Sequence, residues 1–236
     1  MDILALYPSL PKLWADCNTF INELCRDRDA SAHGPHHCRR VVENSIQILS
    51  QGNYSEMFWK TTIVVAFIHD VLDHKYPDPS GKVEKSLDTF LKTLSLVGDL
   101  GKDLSPSLKL IASYVSWRKE NEALIAGAPL DYDKLLNTAN MPYAREEWEI
   151  VNDSDKLDAI GEEGMPRLLH HTKHEFLKRN GREPTDDEMH HVVNHHSEAK
   201  LLHLKDKFIR TPHGKVMAVK AHEEFVNALA KFNGSE

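Results

Sequence analysis

The chain predicts an all-α protein, and three features carry that expectation. Runs of strict apolar/polar alternation bounded by turn residues are nearly absent, so strand signals are weak. Apolar residues recur instead at helical spacing, as Val42, Ile46 and Leu49 do. Helix start and stop signals punctuate these segments, such as Thr185-Asp186-Asp187-Glu188 and Gly52-Asn53.

In chain order, Leu13 to Arg26 reads as a first helix, followed by a loop through Ala32 and Pro35. His36 to Ser50 reads as a second, stopped by Gly52-Asn53. Glu56 to Val71 reads as a third. Its run Ile63-Val64-Val65-Ala66-Phe67-Ile68 is apolar on every side, which marks a helix buried all round. Asp73 to Gly81, with Pro77 and Pro79, reads as a loop. Val83 to Leu96 forms a fourth helix, and Ser105-Pro106 opens a fifth that runs to about Trp117. The stretch from Arg118 to Pro142 has weak periodicity and reads as mostly irregular, with room for one short helix. Glu146 to Ile160 is helical, broken by Gly161 and Gly164. Thr185 to Glu188 is a capping box for another helix, and Lys215 to Phe232 is the last. No repeat or low-complexity tract is visible.

At 236 residues the chain fits one domain with a substantial core or two small ones, and its 41% hydrophobic and 28% charged residues are those of a soluble globular protein. A net charge of -7 argues against a general nucleic-acid footprint but leaves room for a local basic pocket. Cys17, Cys25 and Cys38 include no Cys-x-x-Cys and imply neither a disulfide framework nor a zinc ribbon. Cys38 reads as core. No apolar run approaches the ~20 residues of a membrane helix, and the N-terminus carries no signal-like segment. The expectation is a cytoplasmic protein, with the nucleus left open.

The residues that carry chemistry are His37, in His33-Gly34-Pro35-His36-His37-Cys38-Arg39-Arg40-Val41, then His69-Asp70, then Asp155. His69 and Asp70 end the buried apolar run, where an unpaired charge costs several kcal/mol, so they need a partner. A divalent cation supplies one. Two imidazoles and two carboxylates suit Mn, Fe, Zn, Co or Ni better than Ca, and leave positions on a six-coordinate ion for water and a substrate oxygen. Each piece alone is weak, since the chain holds 15 histidines. The histidine-rich stretches around His170-His171-His174 and His190-His191-His195-His196 read as solvated faces, with His196 the one to watch.

Taken together these residues resemble the HD superfamily of metal-dependent phosphohydrolases, and in particular its small stand-alone members of bacteria and fungi. The resemblance rests on His33 to Val41, His69-Asp70-Val71-Leu72-Asp73-His74-Lys75, Asp153-Ser154-Asp155-Lys156-Leu157-Asp158-Ala159-Ile160-Gly161, Lys200-Leu201-Leu202-His203-Leu204, Thr211 and Gly214. It spans roughly residues 15 to 232, so residues 1 to 236 are read as one HD-type helical domain with the metal site between core helices. Ser154, Lys156 and Gly34 depart from the usual Ala, Arg and Asp. Ala221-His222 stands where an Arg is usual, and Ser113 to Trp117 lacks a further histidine, so one tightly held metal is expected.

The resemblance implies a phosphohydrolase acting on a nucleotide-type substrate, with one divalent ion, manganese first among Mn, Fe, Co, Ni, Zn and Mg. His37, His69, Asp70 and Asp155 are the expected ligands. Asp73, one turn past Asp70, is assigned to water orientation or general base work, and His33 to proton donation or phosphate binding. Arg40, Lys75, Lys156 and Arg167 are expected to meet phosphate charge. The partner is a small phosphorylated molecule, with neither nucleic acid nor membrane, and a homodimer is left open. Two rival readings are an HD-fold oxygenase with a two-iron site and a non-catalytic nucleotide- or metal-binding module. The first needs extra histidines between His69-Asp70 and Asp155, where only His74 occurs.

Overall fold

The computed structural model describes residues 6–26, 34–72, 78–98, 101–139 and 141–234. It is all-α among these residues, apart from one isolated bridge between Val97 and Asp103. Helix α3 (Glu56–Ile68) is the central element. Ser55 caps it by accepting from the Phe58 backbone N–H at 3.2 Å, and nearly every residue from Phe58 to Ile68 is buried. A helix apolar on all sides needs neighbours on all sides. α1 (Leu10–Leu24), α2 (Pro35–Leu49), α5 (Ser105–Ser113) and α8 (Ala144–Ile160) supply them. α2 also packs along α8, so α2, α3 and α8 form a mutually contacting trio.

Around this core lie α4 (Lys82–Thr93), α6 (Trp117–Ile125), α7 (Tyr132–Leu136), α9 (Gly164–Asn180) and α10 (Asp186–Ala199). A 3-10 turn over Leu201–His203 leads into the short α11 (Leu204–Lys207) and then α12 (Pro212–Phe232). The expected helices are present with small shifts. The third stops at Ile68 rather than Val71. The fourth stops at Thr93 rather than Leu96, just before Ser95 with φ 49°.

Three expectations are corrected. The stretch from Arg118 to Pro142 is not mostly irregular, and the fifth helix does not reach Trp117. The chain breaks at Ser116, whose extended backbone and side-chain oxygen cap a new helix through the Lys119 N–H at 3.4 Å. Asp131 caps α7 likewise through the Lys134 N–H at 3.1 Å. Periodicity was weak there because these helices are short, and α6 buries only Glu120. Gly164 ends nothing: it is the first residue of α9, which the sequence reading did not contain. A Cβ at Gly164 would sit 2.5 Å from the Ala159 carbonyl oxygen, so the glycine is there for the tight α8–α9 turn.

The end of the fold is tied back onto α8 by a buried carboxylate. Asp153 accepts from the Arg210 N–H at 2.9 Å, and from both the Thr211 N–H and hydroxyl at 2.7 Å. Helix starts carry orphan N–H groups and partial positive charge, so an acid there is favourable. A Cβ at Gly214 would lie 2.8 Å from Asp153 Oδ2, which explains a glycine in this first turn. The Thr185–Glu188 capping box forms as expected, with both reciprocal bonds present.

One core acid makes stability depend on pH. Glu147 of α8 is 2% exposed and is hydrogen-bonded to Thr61 Oγ1 at 2.6 Å. Burial pushes its carboxyl up to about 8; the Thr61 bond works against that rise and the Glu146 charge adds to it. Between the ordinary carboxylate range and about pH 8, the folded chain holds a proton that the unfolded chain has released. Stability therefore falls as pH rises through that window, by at most about 1.4 kcal/mol per unit for this group. Glu147→Gln is expected to remove that part of the slope. Urea unfolding of both proteins from about pH 5 to about pH 8 measures it. Identical slopes would mean that Glu147 is ionised in the fold.

Candidate metal centre and its cavity

The three core helices deliver four candidate ligands to one place. His37 lies in the first turn of α2, where Pro35 sets the entry. His69 and Asp70 follow the last residue of α3, and Asp155 lies on α8. His37 Nε2 is 3.1 Å from His69 Nε2, 3.2 Å from Asp70 Oδ2 and 3.4 Å from Asp155 Oδ1. His69 Nε2 is 3.3 Å from Asp70 Oδ2 and 3.9 Å from Asp155 Oδ1. The donor atoms of His37, His69 and Asp70 all lie within 4.8 Å of one another.

The far side of each ring decides what the near side can do. His69 Nδ1 is 2.8 Å from the Ala66 carbonyl oxygen, one of the orphan acceptors of the last turn of α3. A carbonyl only accepts, so Nδ1 carries the proton and Nε2 of the neutral ring presents a lone pair. His37 Nδ1 donates in the same way to Asp158 Oδ2 at 2.7 Å. Two acceptor nitrogens thus face each other at 3.1 Å, with carboxylate oxygens beside them. That arrangement is repulsive unless a positive species sits among the four groups. Burial disfavours a charged His69, yet the Asp70 and Asp155 carboxylates outweigh it and raise its pKa to about 9. Asp155 is lowered despite its own burial, chiefly by His69 and His37.

A divalent cation fits this donor set. Ligands about 2.0–2.2 Å from one centre and at right angles lie roughly 3 Å apart. The anchoring of the outer ring nitrogens to a carboxylate and a carbonyl is the usual support of metal-binding imidazoles.

Asp158 is the hub behind the centre. Besides His37 it accepts from Arg40 Nε in a very short contact, from Arg40 Nη2 at 3.4 Å and from Arg167 Nη1 at 2.7 Å. Burial raises its pKa, but His37, Arg167 and Arg40 together hold it well below the usual carboxylate range. Both arginines expected to meet phosphate therefore already bind a protein carboxylate. The sequence carried a signal for Asp158, because it stands three residues from Asp155 and so shares its helix face.

A cavity of about 300 Å³ opens beside the centre, with Asp70, Asp155 and Arg167 among its lining residues. Trp117, Arg118, His171, His196 and Lys200 line it as well. Lys200 Nζ lies 5.0 Å from the centroid of the Trp117 ring, which in turn meets Phe208 edge-on. The sequence singles out His196 among the histidines and Lys200 within a motif of the resemblance, but carries no signal for Trp117, Arg118 or His171 as cavity residues: the first two stand where weak periodicity hides short helices, and His171 stands in a run that reads as a solvated face.

Lys156 also borders the cavity, but its ammonium is turned to protein. It is 1% exposed and donates to Glu120 Oε1 at 2.7 Å, and Arg210 closes on the other oxygen of Glu120. Three further candidates, His33, Asp73 and Lys75, lie outside the described residues.

No family model matches the chain. Over 216 residues it is 27% identical to the uncharacterized protein YpgQ of Bacillus subtilis strain 168, covering 90% of each sequence. The crystal structure of YpgQ is similar at a TM-score of 0.61 and 19% identity, over 96% of both chains. A second crystal structure, of YpgQ in complex with ADP, gives a TM-score of 0.59 at 20% identity over 94% of this chain and 96% of that one. A structure from Lactobacillus plantarum gives 0.63 at 19% identity over 94% of this chain and 96% of the other. With these proteins the chain shares an all-α fold over nearly its whole length.

Proposed function

We propose that the protein is a metal-dependent phosphohydrolase that cleaves a phosphoester or phosphoanhydride bond of a nucleotide-type substrate. The observation that carries this reading is the pair of Nε2 atoms 3.1 Å apart, each ring anchored from behind, with two carboxylates beside them at the edge of a cavity. The resemblance in His37, His69-Asp70 and Asp155 points the same way, and ADP bound to the similar YpgQ protein supports a nucleotide as the ligand class.

His37, His69, Asp70 and Asp155 would hold the ion; the nitrogen and oxygen set suits Mn, Fe, Co, Ni or Zn, and the resemblance puts manganese first among them. When bound, a divalent ion supplies Lewis acidity toward a phosphoryl oxygen and makes water more acidic. The chain's own groups do the rest. Asp158 keeps His37 in the tautomer that presents Nε2, and Ala66 does so for His69. Arg118 and Lys200 give the cavity cationic groups for a polyanion, and the Trp117 ring gives it an aromatic face. Asp73, three residues past Asp70, is the proposed carboxylate for orienting water, with His33 and Lys75 as proposed aids to the leaving group and phosphate.

The test is metal analysis of the purified protein followed by a phosphate- and pyrophosphate-release screen over nucleoside mono-, di- and triphosphates with added Mn, Co, Ni, Zn, Fe or Mg. Metal-dependent release from at least one nucleotide is expected. A stoichiometric metal with no release from any would favour a sensor module.

A further inference from the structure

α3 and α8 meet a second time, away from the metal-type centre. Thr61 precedes His69 by eight residues and Glu147 precedes Asp155 by eight, about 12 Å along a helix. There Glu147 Oε1 is hydrogen-bonded to Thr61 Oγ1 at 2.6 Å, while its other oxygen is buried with no hydrogen-bond partner. Buried carboxyl oxygens are rarely left unpaired, because the lost hydration is not replaced. Beside them opens a cavity of about 290 Å³, with Glu147 in its wall and Met57, Phe58, Leu104, Met141 and Tyr143 around it; Lys102 also lines it. Phe58 is held flat by a parallel stack on Tyr54 at 4.5 Å and meets Tyr143 edge-on at 5.9 Å.

We propose that this cavity is a second binding site, for a flat, mostly apolar heteroaromatic amine whose N–H group hydrogen-bonds the Glu147 carboxyl. Aromatic rings and methionine sulfurs favour a planar ring system over a branched or highly charged ligand. The volume suits one or two fused rings, at the small end of ligand pockets. The single unpaired oxygen sets the polar requirement, one donor at one edge of the ring. The raised pKa of Glu147 keeps its carboxyl neutral at pH 7, with the proton on Oε1 toward Thr61 Oγ1, whose own hydrogen has the Met57 carbonyl oxygen at 2.9 Å; Oε2 is then the carbonyl oxygen that accepts, and with Lys102 on the same wall this selects a neutral amine over a cation. The inference stands apart from the proposed hydrolase activity, since none of these residues belongs to that site.

The probes are 3-aminoquinoline and 3-methylquinoline, both weak bases neutral at pH 7, which match in shape and differ in the N–H donor. Calorimetry at pH 7 is expected to show saturable binding of the amine to the wild-type protein, with a preference over the methyl analogue of roughly tenfold. Glu147→Met should erase the preference. Met141→Trp, which fills the cavity and leaves Glu147 in place, should abolish binding of both. Asp70→Ala should bind the amine as the wild type does. The proposal is overturned by absent binding to the wild-type protein, by equal affinity for the two probes, or by a preference that survives Glu147→Met. Binding lost in Asp70→Ala would put the probe in the other cavity and overturn it equally. Should Glu147→Met fail to fold by circular dichroism, Met141→Trp decides alone: undiminished affinity there sinks the site.

Discussion

Asp70→Ala is expected to abolish metal binding and phosphate release together while leaving a folded helical protein. Asp70 stands just past the last residue of α3, so the apolar packing from Phe58 to Ile68 does not depend on it. Its Oδ2 is 3.2 Å from His37 Nε2 and 3.3 Å from His69 Nε2, which makes it an edge shared with both imidazoles. Removing a direct carboxylate ligand should cost metal affinity more than the 10–100-fold typical of losing an outer-shell partner. Metal content after dialysis, far-ultraviolet circular dichroism and phosphate release measure the three parts separately. Full activity in metal-free Asp70→Ala would remove the basis of the proposed function. Loss of helix as well would make Asp70 part of the fold.

Asp158→Asn is the second large effect. The carboxylate takes hydrogen bonds from His37, Arg40 and Arg167 at once. An amide offers one acceptor oxygen and turns an N–H₂ toward one of those donors. His37 then loses its fixed tautomer, and metal affinity should fall about 10–100-fold. Stability should fall too, toward the roughly 3–5 kcal/mol seen when a buried ion pair loses one partner, and by less to the extent that Arg40 is partly exposed. The sign with pH follows from the lowered pKa of Asp158. A carboxyl that releases its proton more readily when folded stabilises fully above the ordinary carboxylate range, and that contribution fades as pH falls through and below it. Wild-type and variant unfolding curves should therefore converge in acid and separate near neutrality. Metal titration of Asp158→Asn reads the positioning role apart from stability. Unchanged affinity with lowered stability would leave Asp158 a purely structural hub.

The helical class and the burial of α3 were legible in the chain by itself, from local signals: helical spacing of apolar residues and an apolar run on every face. The grouping of His37, His69, Asp70 and Asp155, on three different helices, was legible through the resemblance of their ordered motifs, since each piece alone is weak. The capping box at Thr185 was legible for the same reason. Boundaries and short helices were not, because α6 and α7 bury too few residues to impose a period, and Gly164 carries opposite meanings at a break and at a close contact.

What only the tertiary structure decided is which charges find each other. Arg40 and Asp158 are 118 residues apart, Lys156 and Glu120 are 36, and Arg210 and Glu120 are 90. In the linear sequence Arg40, Lys156 and Arg167 read as available for phosphate. Packing determines that Arg40 and Arg167 brace the carboxylate behind His37, and that Lys156 is spent on Glu120. The same packing sets the Glu147 carboxyl beside an aromatic cavity with one oxygen unpaired. Ligand spacing along a helix is a property of the chain, whereas the cost of burying a charge depends on which helix lies against it.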